Sequence, residues 1–276
     1  MRIRRFVGAY LSTIGMIAAM FTVVSPAQAI VNGTAVDYPW AVALALPSSS
    51  GGSIESRTLC SGVLIKQSWV LTAAHCFDLP DCFDRGLLDW QHTTVIIGRD
   101  DLESVHGETR TIAEVHNMCR SSTYCPSHDP DLCDLALLKL SSPSTKTDAD
   151  LADGSVLSYW NEGTDARIYG YGQTNVNSRV ASRYLRRADE VIDEFRPTHA
   201  TLWAHGINNA PCGDDGGPLI VTTTPGAPRV VGIVRAAVDP AKACSPSSDN
   251  ETSYMKVGWR GTTTNSPAFT WIQAVV

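Results

Sequence analysis

Three short segments hold the side chains best suited to moving a proton. Leu71-Thr72-Ala73-Ala74-His75-Cys76 sets an imidazole beside a cysteine that can bridge back to Cys60, and such a bridge would pin the imidazole's loop. Asp134 heads the apolar run Asp134-Leu135-Ala136-Leu137-Leu138-Lys139-Leu140, and Gly213-Asp214-Asp215-Gly216-Gly217-Pro218 carries two adjacent carboxylates among glycines. An imidazole exchanges its proton near neutral pH and a carboxylate can orient it, so this set suits acid–base chemistry. A second grouping, Cys119, Cys125, His128 and Cys133, has C-x5-C-x2-H-x4-C spacing, unlike the compact CxxC arrangements that wrap tetrahedral zinc. Neither a metal site nor a cofactor is expected. The eight cysteines (60, 76, 82, 119, 125, 133, 212 and 244) are an even set, most economically four disulfides in an exported chain.

The elements that must position these groups read as strands. Short apolar or alternating runs recur about every ten residues: Ala41 to Leu46, Ser61 to Ile65, Trp69 to Thr72, Thr93 to Ile97 and Leu135 to Leu140, then Ala166 to Tyr171, Tyr184 to Ile192, Leu219 to Thr223, Val230 to Val234 and Tyr254 to Val257. Gly, Pro, Asp and Ser clusters separate them, the rhythm of an all-β sandwich or barrel. The polar stretch Ser141 to Gly154 is the natural seam between halves of about 30–150 and 155–276. The tail after Pro267, with Phe269, Ile272 and Val276 about a turn apart, suits a short closing helix.

Ahead of the first strand, Arg2, Arg4 and Arg5 precede an apolar stretch from Phe6 to Val24 and a small-x-small site ending at Ala29. This reads as a secretory signal over residues 1–29, so the mature domain would run from Ile30 to Val276, outside the cell and free of the membrane. Removing that segment takes the formal charge from −6 to −9, because it carries three arginines and no acid. So acidic a chain, without a basic stripe, would repel a phosphate backbone, which sets nucleic-acid partners aside.

In its motifs, Ile30-Val31-Asn32-Gly33, Leu71 to Cys76, Asp134 to Leu140 and Gly213 to Leu219 taken in order, the chain resembles the trypsin-like (chymotrypsin-fold) serine proteases. The resemblance spans essentially all of residues 30–276. It implies two packed six-stranded antiparallel β-barrels with the active cleft between them. It also implies His75 as general base, Asp134 as the residue that holds its tautomer, and backbone amides of Gly213 and Asp215 as the oxyanion hole. By the same token, disulfides Cys60–Cys76 and Cys212–Cys244 are implied, with Cys82, Cys119, Cys125 and Cys133 open in their pairing. The freshly exposed Ile30 amine would pair with Asp214 on export, with no separate zymogen step. A buried pair that loses one partner costs about 3–5 kcal/mol, so Ile30 and Asp214 should survive or fail together.

Against that pattern, three departures matter. The family's GDSGGP carries a hydroxyl nucleophile where this chain has Asp215. A carboxylate attacks an amide poorly; it should instead draw the imidazolium of His75 and compete for the oxyanion amides. Second, Gly232-Ile233-Val234-Arg235-Ala236-Ala237 aligns with the family's substrate-pairing GIVSWG, so Arg235 and Ala236 replace a serine that supports the triad aspartate and a tryptophan that walls the pocket. Arg235 would neutralise Asp134 and Asp215. Third, Cys212 directly precedes Gly213, where the family usually keeps one residue between them, and the pocket base falls near Asn209 or Ala210. The expectation is a monomeric secreted pseudoprotease that binds a protein or peptide in the inter-barrel cleft; the rival expectation is a serine-type endopeptidase or esterase with residual or altered hydrolysis, for instance of activated esters by His75 with water. Lesser features are a solvated acidic loop with Asp100, Asp101, Glu103 and Glu108, where some relatives hold calcium, and sequons at Asn32 and Asn250.

Overall fold

The computed structural model describes residues 30, 33–79, 86–128, 132–153, 157–173, 180–194, 201–206, 214–222, 228–237, 251–256 and 266–276. The expected signal segment, both sequons' asparagines, Asn209, Ala210, Cys212, Gly213 and Cys244 lie outside these.

Eight strands precede the seam: β1 (Thr34–Ala35), β2 (Ala41–Ala45), β3 (Thr58–Lys66), β4 (Trp69–Thr72), β5 (Thr94–Ile97), β6 (Glu108–Arg110), β7 (Ile112–Asn117) and β8 (Ala136–Leu140). Six follow it: β9 (Asp165–Gly170), β10 (Arg186–Glu194), β11 (Thr201–Gly206), β12 (Pro218–Val221), β13 (Arg229–Ala237) and β14 (Glu251–Lys256). Helices α1 (Ile54–Arg57) and α2 (Pro267–Val275) and four short 3₁₀ turns complete the described elements. All pairings are antiparallel, in two seven-stranded sheets ordered β6-β5-β2-β3-β4-β8-β7 and β1-β10-β11-β14-β13-β12-β9. Within the second, β9 also pairs with β10, so the sheet curls back on itself; in the first, β6 and β7 remain unpaired with each other among the described residues. Thus the two closed six-stranded barrels expected from the sequence are met only as two curved sheets.

Every expected strand is present, shifted by a few residues at its ends. The sequence reading passed over β1, β6, β7 and β11, because β6 and β7 are polar edge strands with little burial and β1 has only two residues. β1 pairs with β10, so the N-terminal residues belong to the second sheet rather than to the first half. Ile30, fully buried in the second core beside Trp160, Ile168, Leu202 and Leu219, is what draws them there. The closing helix forms where expected: Ser266 caps it by accepting from the Phe269 amide at 3.0 Å, and Pro267 opens it. Its buried side chains are Ala268, Trp271 and Ile272, with Phe269 only half-buried. Tyr38 stacks on Trp40 at 4.8 Å, and both meet the edge of Tyr169 on β9, which ties the two sheets together beneath the cleft.

A buried acid also sits in the second core. Ala188, Glu190 and Ile192 alternate inward along β10, and Glu190 is 1% exposed. Burial, and then the charges of Asp193, Asp214 and Asp189, push its carboxyl up to about 8 from 4.5, with the Tyr254 hydroxyl offsetting part of the rise. A carboxyl that holds its proton more tightly when folded makes the fold lose stability as pH rises from about 4.5 through about 8. Glu190→Gln is therefore expected to flatten the fall in melting temperature between pH 5 and 8 and to raise it at pH 8. Calorimetric melts across that range would show the same slope in both proteins if Glu190 were not its origin.

Candidate active site

The register of the first sheet brings the first two candidates together. Thr72 of β4 faces Ala136 of β8, so the turn after β4 and the residue ahead of β8 meet at one end of the sheet. His75 lies on a short 3₁₀ turn, Ala74–Cys76, which the Cys60–Cys76 disulfide ties back to β3. Asp134, its side chain 3% exposed, uses both oxygens on this one residue: Oδ1 accepts from the His75 amide at 2.9 Å and Oδ2 from Nδ1 at 2.7 Å. The ring is thereby oriented, with Nε2 turned outward.

Asp215 reaches the same place from the second sheet. Its carbonyl accepts from the Ser61 amide at 2.8 Å, and the next residues are stitched to β13 by Gly216 N–H to Val234 O at 3.0 Å and Val234 N–H to Gly217 O at 2.9 Å. Only glycine fits at 216, since φ is +84° and a Cβ there would lie 2.1 Å from the Thr72 hydroxyl and 2.4 Å from the Ser61 carbonyl. Held by this turn, Asp215 Oδ2 stands 3.7 Å from His75 Nε2 with its side chain 39% exposed. That separation is too long for a hydrogen bond and short enough for strong charge attraction. Burial of the imidazole works against its charged form; the hydrogen bond and charge of Asp134, with the charge of Asp215 beside them, outweigh it and raise His75 to about 10.

Arg235 on β13 places Nε 4.0 Å from Asp134 Oδ2, at the outer limit of an ion pair. The guanidinium thus stands on the Asp134 side of the group; Ala236 and Ala237 continue β13 by pairing with Ser253 and Thr252. Asp214 is buried, and its Oδ1 accepts from the Gly172 amide at 2.7 Å. Ile30 is buried in the same half.

Cys125 and Cys133 form a disulfide, and Cys119 is disulfide-bonded to a cysteine outside the described residues. His128 instead places Nδ1 2.8 Å from the Cys119 carbonyl. In the acidic loop the counter-ions are the protein's own: Arg183 bonds Asp101 at 2.7 Å and Glu103 at 2.5 Å, while Glu108 takes Arg110 and the Ser144 hydroxyl. No group of three or more metal-binding side chains occurs among the described residues. Sequence reasoning missed Ser61 and Thr72, which hold the Asp215 turn, and Arg183; no local signal marks any of them.

Compared with known proteins, the chain matches the Trypsin family over residues 30–257. It is 27% identical to chymotrypsin-like elastase family member 1 of Macaca fascicularis over 207 residues, 69% of this chain and 72% of the relative. To the venom peptide isomerase heavy chain of Agelenopsis aperta it is 26% identical over 223 residues, 74% of this chain and 86% of that one. Among solved structures it resembles human heparin binding protein with a TM-score of 0.62 and 20% identity, covering 89% of this chain and 96% of that one.

Proposed function

The chain belongs to the trypsin family, and from that premise we propose that it is a pseudoprotease, a secreted homologue that has exchanged peptide hydrolysis for binding a protein or peptide in the cleft between its sheets. It acts outside the cell, the oxidising setting in which its disulfides form and persist. One observation carries the reading: at the place of the nucleophile stands a carboxylate, 3.7 Å from the imidazole that should activate a hydroxyl. Losing such a nucleophile costs on the order of 10⁶ in turnover. The flanking carboxylates also hold His75 in its charged form, with its proton leaving only near pH 10. A protonated ring cannot take up a second proton, so general-base chemistry at neutral pH is closed by the same contact.

Inside the cleft the roles follow from placement. Asp134 is the positioning residue for His75, Asp215 is its external counter-ion, and Arg235 balances Asp134 from β13. Arg235, Ala236 and Ala237 form the edge along which an extended peptide would pair, and Gly213 with Asp215 supplies the amides of the vestigial oxyanion hole. Signal cleavage after Ala29 would free Ile30 to pair with Asp214 and order that loop. Surviving His75–Asp134 geometry favours a second reading, hydrolysis of activated esters by His75 and water. The protein purified from the medium, offered a broad fluorogenic peptide library, an activated ester and a fluorophosphonate probe, is expected to be silent with all three. Peptide cleavage would overturn the proposal, and ester hydrolysis that vanishes in His75→Ala would establish the second reading in its place.

A further inference from the structure

We propose that Glu190, with the hydroxyls of Tyr254 and Thr252, forms the floor of a site for an organic cation, the guanidinium or ammonium of a basic side chain on the peptide held in the cleft. The inference rests on the peptide-binding reading above and names the side chain that the cleft would select.

Glu190 of β10 and Thr252 and Tyr254 of β14 are each no more than 1% exposed, and both Glu190 carboxyl oxygens and both hydroxyls lack a hydrogen-bond partner. The Tyr254 hydroxyl stands close enough to act on Glu190 and on Thr252 without completing a hydrogen bond to either. Buried acceptors without partners are costly, and a cluster of them marks a place where a donor is missing. Strand β11 runs between β10 and β14, with Gly206 opposite Glu190 and Ala204 opposite Thr252. Its inward residues Leu202, Ala204 and Gly206 shrink toward the end where the next described residue is Asp214, which leaves room beside Glu190. Asp214 acts through its charge on both Glu190 and Tyr254, so the group lies beneath the turn that carries Asp215 into the cleft. A side chain reaching down from the cleft past that turn meets it.

The surrounding charges select a cation. Asp193, Asp214 and Asp189 all act on Glu190, while Tyr254 and Thr252 face it as neutral groups. Asp189 and Asp193 have partners of their own in Arg167 and His205, and Arg186, on the same face of β10, donates Nη1 to the Gly33 carbonyl at 3.0 Å. A guanidinium offers five N–H donors in a planar fork, of which two suit a carboxylate and others the two hydroxyls. An ammonium has three, so arginine should bind more tightly than lysine. Asn209 and Ala210, where the sequence places the pocket base, are uncharged, so this acid comes from a strand that the family motifs do not mark. As the ion pair forms, the Glu190 carboxyl releases its proton to solvent and keeps the electron pair.

The test titrates the protein purified from the medium with N-acetyl-arginine methylamide and with its citrulline counterpart, similar in shape but uncharged, by calorimetry at pH 8. The arginine compound is expected to bind at least about tenfold more tightly than the citrulline one, with the lysine compound between them. That preference should vanish in Glu190→Gln. Below pH 8 the arginine affinity should rise about tenfold per pH unit, with a proton released for each ligand bound and read from the dependence of the heat on buffer ionisation enthalpy. Equal binding of the arginine and citrulline compounds, a preference kept in Glu190→Gln, or no binding of the arginine compound at millimolar concentration overturns the inference. If Glu190→Gln fails to fold, proton release in the native protein decides, and binding without it overturns the site. Cleavage of peptides after arginine would overturn the pseudoprotease reading and leave the site standing; a silent peptide library with equal binding of the two compounds would remove the site alone.

Discussion

Substituting serine for Asp215 is expected to turn a protein that a fluorophosphonate does not label into one that it labels stoichiometrically. The imidazole and the carboxylate that orients it are in place beside that position. His75 is held through Nδ1 at 2.7 Å and through its amide at 2.9 Å, and the turn carrying residue 215 is anchored on Ser61, whose amide reaches the Asp215 carbonyl at 2.8 Å. A hydroxyl at the same backbone position would remove one of the two charges that lock the imidazole and would supply the missing nucleophile, whose absence is worth on the order of 10⁶ in turnover. Labelling should vanish again in the double variant Asp215→Ser/His75→Ala. Peptide turnover should return only in part, because Cys212 directly precedes Gly213 where the family usually keeps one residue between them, a shortening expected to misplace an oxyanion donor. An unlabelled Asp215→Ser protein would mean that the site is dismantled beyond this residue.

The second large effect concerns the proton on His75. NMR titration of the ring should find it charged through pH 8, with a midpoint near 10 in the native protein. In Asp215→Asn the midpoint should move down toward 6.5, and in Asp134→Asn likewise. The sign for stability follows from the raised value: the folded state binds this proton more tightly than the unfolded chain, so the contribution is complete below about 6.5 and is lost as pH rises through about 10. Melting temperature in the native protein should therefore decline between pH 7 and 10, and less so in Asp215→Asn. The Glu190 effect ends near pH 8, so melts at pH 8 to 10 isolate the histidine. A native midpoint near 6.5 would show that Asp215 does not hold the ring and would reopen general-base chemistry.

Legibility differed from element to element. Strands buried along nearly their whole length, such as β4 and β8, could be read as short continuous apolar runs bounded by turn residues. β6 and β7 could not, since edge strands with polar faces are held by their neighbours' backbone rather than by their own side chains. Helix α2 was legible from its proline and spacing, yet Trp271 rather than Phe269 is the buried aromatic. Nor could local sequence have pointed to Glu190, a charged residue that faces a core it does not chemically suit.

What the sequence determined by itself is the chemistry available: one imidazole beside a bridged cysteine, an aspartate heading a buried strand, and a second carboxylate in the glycine turn where a hydroxyl would be needed. These are covalent facts, and they already point to a protease scaffold without its nucleophile. The tertiary structure decided distance and environment. His75 and Asp134 are 59 residues apart in the chain and are joined by strand register; Asp215 arrives from the other sheet, on a turn pinned by Ser61 and Val234. Whether a carboxylate and an imidazole block catalysis or share a proton depends on a few tenths of an ångström and on how much water reaches them. Both are products of packing between sheets that no spacing along a chain can express.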